Sequence, residues 1–170
     1  SLHDALPIYE VLKELLKLKI KDFEALELIF EIIDSAPGLP IGNYLSQYLA
    51  NFYLSHFDHW IKQDLGIKHY FRYCDDLVIL GTDKSELHKI RIAITEKLAE
   101  LKLEVKPNYC VRPTTEGIDF VGYVHYHTHT LLRKSIKKSV AKAVAQNRSK
   151  SVASYYGWLK YCDSKNLLKK

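Results

Sequence analysis

Methionine is absent from the 170-residue chain, even from position 1, where translation would place it. We therefore expect the sequence to be a fragment of a longer protein. Its first eight residues look unlike the rest of the chain, and Pro7 is expected to break any helix before Tyr9. Two interpretations of residues 1–8 stay open: a leader foreign to the native domain, or a frayed terminus.

Long apolar runs and disulfide patterns are also absent. No run of 18 apolar residues occurs, which argues against a membrane span, and no secretory signal pattern opens the chain. The three cysteines are Cys74, Cys110 and Cys162, and their spacing matches neither a disulfide framework nor a metal-ligand motif. These absences predict a cytoplasmic protein with no membrane partner.

Acidic residues are nearly absent from the C-terminal end. Residues 131–170 hold 11 Lys and Arg but only one acidic residue, Asp163, whereas residues 1–130 carry a net charge of −5. The overall charge of +5 hides this asymmetry. A basic segment behind an acidic body indicates either a polyanion partner such as nucleic acid, or a solvated helix face with surplus lysine.

Hydrophobic periodicity predicts both helices and strands. Helices are expected over residues 9–20, 22–33, 44–62, 83–103, 135–147 and 152–168, with Asp22 as an N-cap and Gly66 as a C-cap. Strands are expected over 68–73, 77–80 and 117–126, the last returning through 127–130 as a hairpin, with a short strand and loop over 103–113. Since no regular alternation of strand and helix appears, the fold class is α+β with an antiparallel sheet.

The middle of the first predicted hairpin contains two adjacent carboxylates. The stretch FRYCDDLVIL, residues 71–80, places Asp75 and Asp76 between two apolar, β-prone arms. Carboxylate oxygens are hard ligands that suit Mg²⁺ or Mn²⁺, and Mg²⁺ uses one or two of them together with substrate phosphates. Asp-Asp is also a good turn former, and that simpler interpretation stays open from these residues alone.

The ordered set of motifs around this pair resembles bacterial-type reverse transcriptases, as found in group II introns, retrons and diversity-generating retroelements. RYCDD resembles the family's Tyr-X-Asp-Asp motif, and GLPIGNYLSQYLANFYLSHFDHWI resembles the loop and helix that precede it. LKLEVKPNY, GIDFVGYVHY and SYYGWLKYCDSKNLL are similar to three later segments of the family, namely a strand and loop, the primer-grip hairpin and the thumb. The GN..SQ form of the loop and helix is more similar to diversity-generating retroelement enzymes than to intron maturases.

The resemblance implies a right-hand polymerase fold and roles for individual residues. It implies a partial palm over residues 9–130 and the start of a basic helical thumb over 131–170, with the fingers and first palm strand missing. Asp75 and Asp76 are implied as catalytic, metal-binding carboxylates for Mg²⁺ or Mn²⁺, with Asp75 the firmer ligand. Nucleotide or template contacts are implied for Gly42, Asn43, Ser46, Gln47, Tyr73, Cys74 and Lys106. Contacts with the nucleic-acid backbone are implied for a group that we call the basic cluster: Arg133, Lys134, Lys137 and Lys138.

The implied partners are an RNA template, a DNA primer duplex, deoxynucleoside triphosphates and an accessory protein. Two departures from the family pattern qualify these roles. The family's late lysine in the LKLEVKPNY segment falls at Tyr109, so that Lys106 either reaches round or leaves the role unfilled. The family's upstream catalytic aspartate has no counterpart, because Asp4 lacks the apolar strand context. We therefore expect the 170-residue chain alone not to polymerise.

Two further alternatives stay open. One is a nucleic-acid-binding module with a polymerase-like fold and no activity. The other concerns His125, His127 and His129, which alternate along one strand and could bind Zn²⁺, although no fourth ligand lies near them in sequence. For Tyr155, Tyr156 and Trp158, helix packing is favoured over base stacking.

Overall fold

The computed structural model describes residues 2–35 and 44–164, with the side chains of residues 2–7 left aside. Within these ranges, the helices are α1 (Leu2–Lys19), α2 (Phe23–Asp34), α3 (Tyr44–Tyr53), α4 (Ser55–Gln63), α5 (Lys84–Glu100), α6 (Lys134–Ala145) and α7 (Ser149–Leu159). The strands are β1 (Tyr70–Tyr73), β2 (Asp76–Ile79), β3 (Ile118–Phe120), β4 (Tyr123–His125) and β5 (Thr130–Leu132). The predicted α+β class is confirmed, and both small sheets are antiparallel.

The chain divides into two compact units, residues 1–109 and 110–170. The boundary predicted between palm and thumb stays a prediction. In the described parts of the chain, no helix is both long and apolar enough to cross a membrane.

In the first unit, the paired helices α1 and α2 form one hydrophobic core with α3. Leu12, Leu16, Leu26 and Ile33 are buried there, as their helical spacing predicts, and the Asp22 carboxylate caps α2 by accepting from the Ala25 N–H. The predicted break at Pro7 is wrong, because α1 is continuous from Leu2. Pro7 is the sixth residue of α1 and lies beyond the first turn that favours proline, so the helix continues through it at the loss of one backbone bond.

The predicted helix over residues 44–62 is interrupted at Leu54, which separates α3 from α4. At the interruption, the Ser55 hydroxyl donates to the Phe52 carbonyl at 2.6 Å, a local bond that competes with the helical ladder. The Tyr53 hydroxyl donates to the Leu101 carbonyl at 2.5 Å and so fixes the end of α3 against the chain that follows α5. The interruption therefore has side-chain causes on both sides.

The second core of this unit holds the β1–β2 hairpin against α4 and α5. Phe57 and Ile61 of α4, Tyr70 of β1, and Ile94 and Leu98 of α5 are buried together. The connection from α4 uses Gly66 in the left-handed region (φ 64), as the C-cap prediction requires, and the Ile67 N–H returns to the Ile61 carbonyl.

The short strand predicted within residues 103–113 is wrong, because this segment pairs with no other strand. The burial of its side chains nevertheless alternates. Leu103 and Val105 pack against the hydrophobic cores, while Glu104 and Lys106 are exposed. Pro107 supplies no N–H for a ladder, which is consistent with an extended but unpaired chain.

In the second unit, residues 117–126 form a hairpin rather than the single predicted strand. Val121 and Gly122 connect β3 to β4 with φ angles of 49° and 80°, the pattern of a type I′ turn. The predicted return of the chain as a hairpin is confirmed by β5. Helix α6 confirms the predicted basic helix. Helix α7 ends at Leu159, and residues 165–168 of the helix predicted there lie outside the described residues.

Candidate active site

The acidic pair lies at the tip of the β1–β2 hairpin. The register pairs Tyr73 with Asp76, so that only Cys74 and Asp75 form the turn and Asp76 is the first residue of β2. This corrects the expectation that both carboxylates occupy the turn. Cys74 has a φ of 53, which places a residue with a side chain in the left-handed region next to the first carboxylate.

The two faces of the hairpin differ in chemistry. Tyr70 and Arg72 turn toward α4, whereas Phe71 and Tyr73 are exposed on the opposite face. Since directly paired residues share a face, Asp76 lies on the exposed aromatic side with Tyr73. Asp75 and Asp76 are both exposed, so that water and solutes reach both carboxylates.

Lys106 contacts the acidic pair directly. Its Nζ donates to Oδ2 of Asp75 at 2.9 Å, although the two side chains are 70% and 74% exposed. The hydrogen bond from Lys106 holds the pKa of Asp75 below its usual range, and the same bond raises the pKa of Lys106. The structure shows Lys106 bonded to Asp75, and whether it fills the role of the family's lysine stays a prediction.

These residues fit a divalent cation in donor type. The available donors are hard carboxylate oxygens, although Oδ2 of Asp75 is bonded to the Lys106 ammonium. Across residues 2–35 and 44–164, however, His, Cys, Asp and Glu nowhere form a group of three or more able to hold a metal ion. The acidic pair therefore stands without a third protein ligand among the described residues.

Arg72 is the feature that sequence reasoning missed. Its guanidinium forks onto Asp58 of α4, with Nε to Oδ1 at 2.8 Å and Nη2 to Oδ2 at 2.5 Å. Its Nη1 donates to Oδ1 of Asn51 at 3.0 Å and to the Cys74 carbonyl at 3.1 Å. The alternation of Tyr70 and Arg72 along β1 could have indicated an inward-facing arginine, which would then need an acid.

The Asp58 carboxylate also accepts from the Tyr70 hydroxyl at 2.6 Å. Burial acts to raise the pKa of Asp58, but the hydrogen bonds from Arg72 and Tyr70 outweigh it, and the pKa falls below its usual range. Burial and the bond to Asp58 raise the pKa of Tyr70. The carboxylate is therefore ionised, and the two donors stay protonated at neutral pH.

The other predicted contacts in the first unit are only partly described. Gly42 and Asn43 lie outside the described residues. Ser46 is half-buried and Gln47 exposed in the first turn and a half of α3. Tyr109, at the position of the family's lysine, lies against Arg91, whose guanidinium carbon is 4.5 Å from the ring centre.

The basic cluster belongs to the second unit, around the start of α6. Arg133 donates from Nε to Oδ1 of Asp119 at 2.6 Å, while Lys134 and Lys138 are exposed and Lys137 is half-buried. Trp158 packs against Tyr123, and the Tyr123 hydroxyl donates to the Trp158 carbonyl at 3.0 Å. This contact agrees with the packing interpretation for Trp158, whereas Tyr156 is exposed.

The alternating histidines each contact a threonine. His125, His127 and His129 lie within hydrogen-bonding distance of Thr130, Thr114 and Thr128, respectively, and the His129 ring stacks on Tyr126. No metal-binding group includes them among the described residues. The hairpin tip is thus a polar turn with local side-chain bonds.

The α+β fold and an exposed pair of carboxylates at a hairpin tip are the features that the comparison with known families can be set beside. A family model described as reverse transcriptase (RNA-dependent DNA polymerase) matches residues 5–125. The chain therefore belongs to the reverse transcriptase family. A search of curated proteins found no significant match.

Proposed function

We propose that this chain is part of an RNA-directed DNA polymerase that adds deoxynucleotides to a primer 3′-hydroxyl on an RNA template. The observation that carries the proposal is the exposed pair Asp75–Asp76 at the hairpin tip, with Lys106 bonded to Asp75. Membership of the reverse transcriptase family supports it and gives no support to the alternative of an inactive binding module.

Asp75 and Asp76 are proposed as the catalytic, metal-binding carboxylates. A bound pair of Mg²⁺ or Mn²⁺ ions would stabilise charge on the attacking and leaving oxygens of the phosphoryl transfer. Asp75 follows the strained turn residue Cys74, while Asp76 is fixed in the ladder opposite Tyr73. The two carboxylates therefore differ in backbone setting, one in the turn and one in the strand, although they are adjacent in sequence.

Lys106 is proposed to bind the phosphates of the incoming nucleotide. Lysine carries a compact charge on a flexible stem, and this side chain is exposed on an extended, unpaired segment. Its ammonium can therefore move from the Asp75 carboxylate to a phosphate oxygen without breaking secondary structure. That position also suits neutralisation of the pyrophosphate that leaves.

The remaining predicted contacts are proposed by position. Tyr73 and Cys74 would lie against the primer terminus and nucleotide, because they flank the carboxylates on the exposed side of the hairpin. Ser46 and Gln47, at the start of α3, would shape the pocket for template and nucleotide. Gly42 and Asn43 carry the same proposed role, and the basic cluster would bind duplex phosphates.

The lineage proposed is that of diversity-generating retroelement enzymes or related bacterial groups. This rests on the GN..SQ form of residues 42–47 alone. Sequencing the neighbouring DNA tests it, since a template and variable repeat pair, a structured intron and a retron RNA each indicate a different lineage. An accessory protein partner would be identified from the same neighbourhood.

The metal assignment can be tested on the 170-residue chain. Mn²⁺ binding, followed by the loss of the free-ion paramagnetic resonance signal, should be abolished by Asp75→Asn and weakened by Asp76→Asn. Asp64→Asn, which removes an exposed carboxylate of the same unit, is the control and should bind Mn²⁺ as the parent does. Equal binding by all three variants would place the ion elsewhere.

The reaction is tested by primer extension on an RNA template. In an extension-competent polypeptide that contains this segment, Asp75→Ala should abolish extension and leave duplex binding nearly intact, because the proposed duplex contacts belong to the basic cluster. The 170-residue chain should bind Mn²⁺ without extending a primer. Robust extension by that chain alone would show that two carboxylates suffice.

A further inference from the structure

The Arg72 side chain is held by acceptors from three different parts of the first unit. It donates to Asp58 on α4, to Asn51 on α3 and to the main-chain carbonyl of Cys74 in the turn. Only 10% of the side chain is exposed, and its bonds to Asp58 are partly buried, whereas those to Asn51 and Cys74 are open to water. A guanidinium presents its donors in a rigid plane, and each acceptor is therefore fixed relative to the other two.

The contact with Cys74 is the one that reaches the carboxylates. Cys74 directly precedes Asp75, and its φ of 53 is a conformation that side-chain-bearing residues adopt only when their surroundings hold them there. The Arg72 Nη1 holds the carbonyl of this residue at 3.1 Å. That carbonyl belongs to the peptide bond between Cys74 and Asp75. The orientation of this peptide plane therefore sets the direction in which the Asp75 side chain points.

We propose that Arg72 is a positioning residue for the Asp75–Asp76 pair, with Asp58 and Asn51 as its anchors. The inference rests on the proposed function for the meaning of that pair, but not for the geometry of the clamp. Arg72 acts through the Cys74 carbonyl, and its hydrogen bonds among the described residues go to neither carboxylate of the pair. Without the clamp, the turn is free to leave its left-handed conformation, and Asp75 loses its fixed direction.

A purely structural ion pair between β1 and α4 is the competing explanation. Such a pair would change the free energy of unfolding without loosening the turn selectively. Arg72→Lys distinguishes the positioning role from a purely structural ion pair. The variant keeps the positive charge, but a single ammonium cannot form two bonds to Asp58 and reach the Cys74 carbonyl as well. Asp34→Asn, which removes the Lys13–Asp34 ion pair of 2.7 Å elsewhere in the same unit, is the stability control.

The experiment measures backbone ¹⁵N order parameters in the 170-residue chain. In Arg72→Lys, the order parameters of the Cys74 and Asp75 amides should fall below about 0.6, while those of the α4 amides stay at about 0.85, the value of a rigid backbone. Asp34→Asn should leave the turn unchanged. Turn amides that keep their parent order parameters in Arg72→Lys would overturn the proposal.

A second variant keeps the inference testable if Arg72→Lys does not fold. Asp58→Asn retains the guanidinium but weakens its anchor, and the same two amides should then lose order to a smaller extent. Unchanged order in a folded Asp58→Asn chain would count against the clamp.

Mn²⁺ binding separates this inference from the proposed function. Arg72→Lys should weaken Mn²⁺ binding by about tenfold or more, as expected when a residue that orients a ligand is lost. A parent chain that binds no Mn²⁺, or binds it equally well as Asp75→Asn, would contradict the proposed metal site, whereas the order parameters would still decide the role of Arg72.

Discussion

The turn between β3 and β4 gives a quantitative test, because Gly122 has no room for a side chain. A Cβ atom there would meet the Trp158 ring and would lie 2.9 Å from Cδ1 of Ile136. The residue also has a φ of 80, which disfavours any L side chain. Gly122→Ala should therefore destabilise the second unit for two separable reasons.

The expected magnitude is the sum of those two terms. The left-handed conformation costs alanine about 1–2 kcal/mol, and overpacking against Trp158 and Ile136 adds about 1–3 kcal/mol. The free energy of unfolding should fall by about 2–5 kcal/mol in total. Gly66→Ala isolates the first term, because Gly66 has a φ of 64 and nothing lies within 4 Å of its added Cβ. That variant should lose only about 1–2 kcal/mol.

Urea unfolding followed by tryptophan fluorescence can measure both changes, since the chain has one tryptophan in each unit. A Trp60→Phe background reports Gly122→Ala through Trp158, and a Trp158→Phe background reports Gly66→Ala through Trp60. Equal losses for the two glycine variants would refute the steric argument. They would mean that the Trp158 ring moves aside at no cost.

Three further predictions concern charge. Lys106→Gln should raise the pKa of Asp75 toward its ordinary value, measured by NMR titration of the carboxyl group, because the hydrogen bond that lowers it is lost. Asp58→Asn should destabilise the chain by about 1–3 kcal/mol at pH 7, since Arg72 and Tyr70 lose a charged acceptor. The lowered pKa of Asp58 means that the parent's advantage is present above the ordinary carboxyl pKa of 3.8 and is lost as the pH falls through the lower folded-state pKa. Urea unfolding should therefore differ between the two chains at pH 7 and converge once the pH is below the folded-state pKa of Asp58. Neutralising the basic cluster should reduce the slope of log affinity against log salt for duplex binding by about 3–4 if all four side chains contact phosphates, and an unchanged slope would place the duplex elsewhere.

Helices were predictable where one face is apolar over several turns. The stripes containing Leu12, Leu16 and Ile94 are buried as their spacing requires, and the predicted cap Asp22 accepts a backbone N–H group at the start of α2. Asp83, which the prediction placed inside its helix, is the N-cap of α5. Periodicity reports burial of a face, which is why these elements are recovered without knowledge of their neighbours.

The interruptions were not predictable in the same way. Leu54 is compatible with a helix, and its break depends on the bonds of Ser55 and Tyr53 to carbonyls, one of them 48 residues away. Residues 117–126 looked like one strand because apolar residues flank the turn, although Gly122 within an apolar run was an available signal.

The acidic pair was visible in the sequence, but its surroundings were not. Lys106 was identified by resemblance, and its bond to Asp75 depends on an extended segment that packs without a strand partner. The contacts of Arg72 join three elements that local sequence cannot bring together. The roles of these residues in catalysis stay predictions.

The interruption at Leu54 also places the two side-chain anchors of Arg72 on separate helices. Asn51 lies before it and Asp58 after it, yet one guanidinium binds both side chains and the turn carbonyl. Any tilt of α3 against α4 changes the spacing of those two anchors, and a rigid planar group cannot follow both. The angle between α3 and α4 is therefore coupled, through Arg72, to the carbonyl that precedes Asp75.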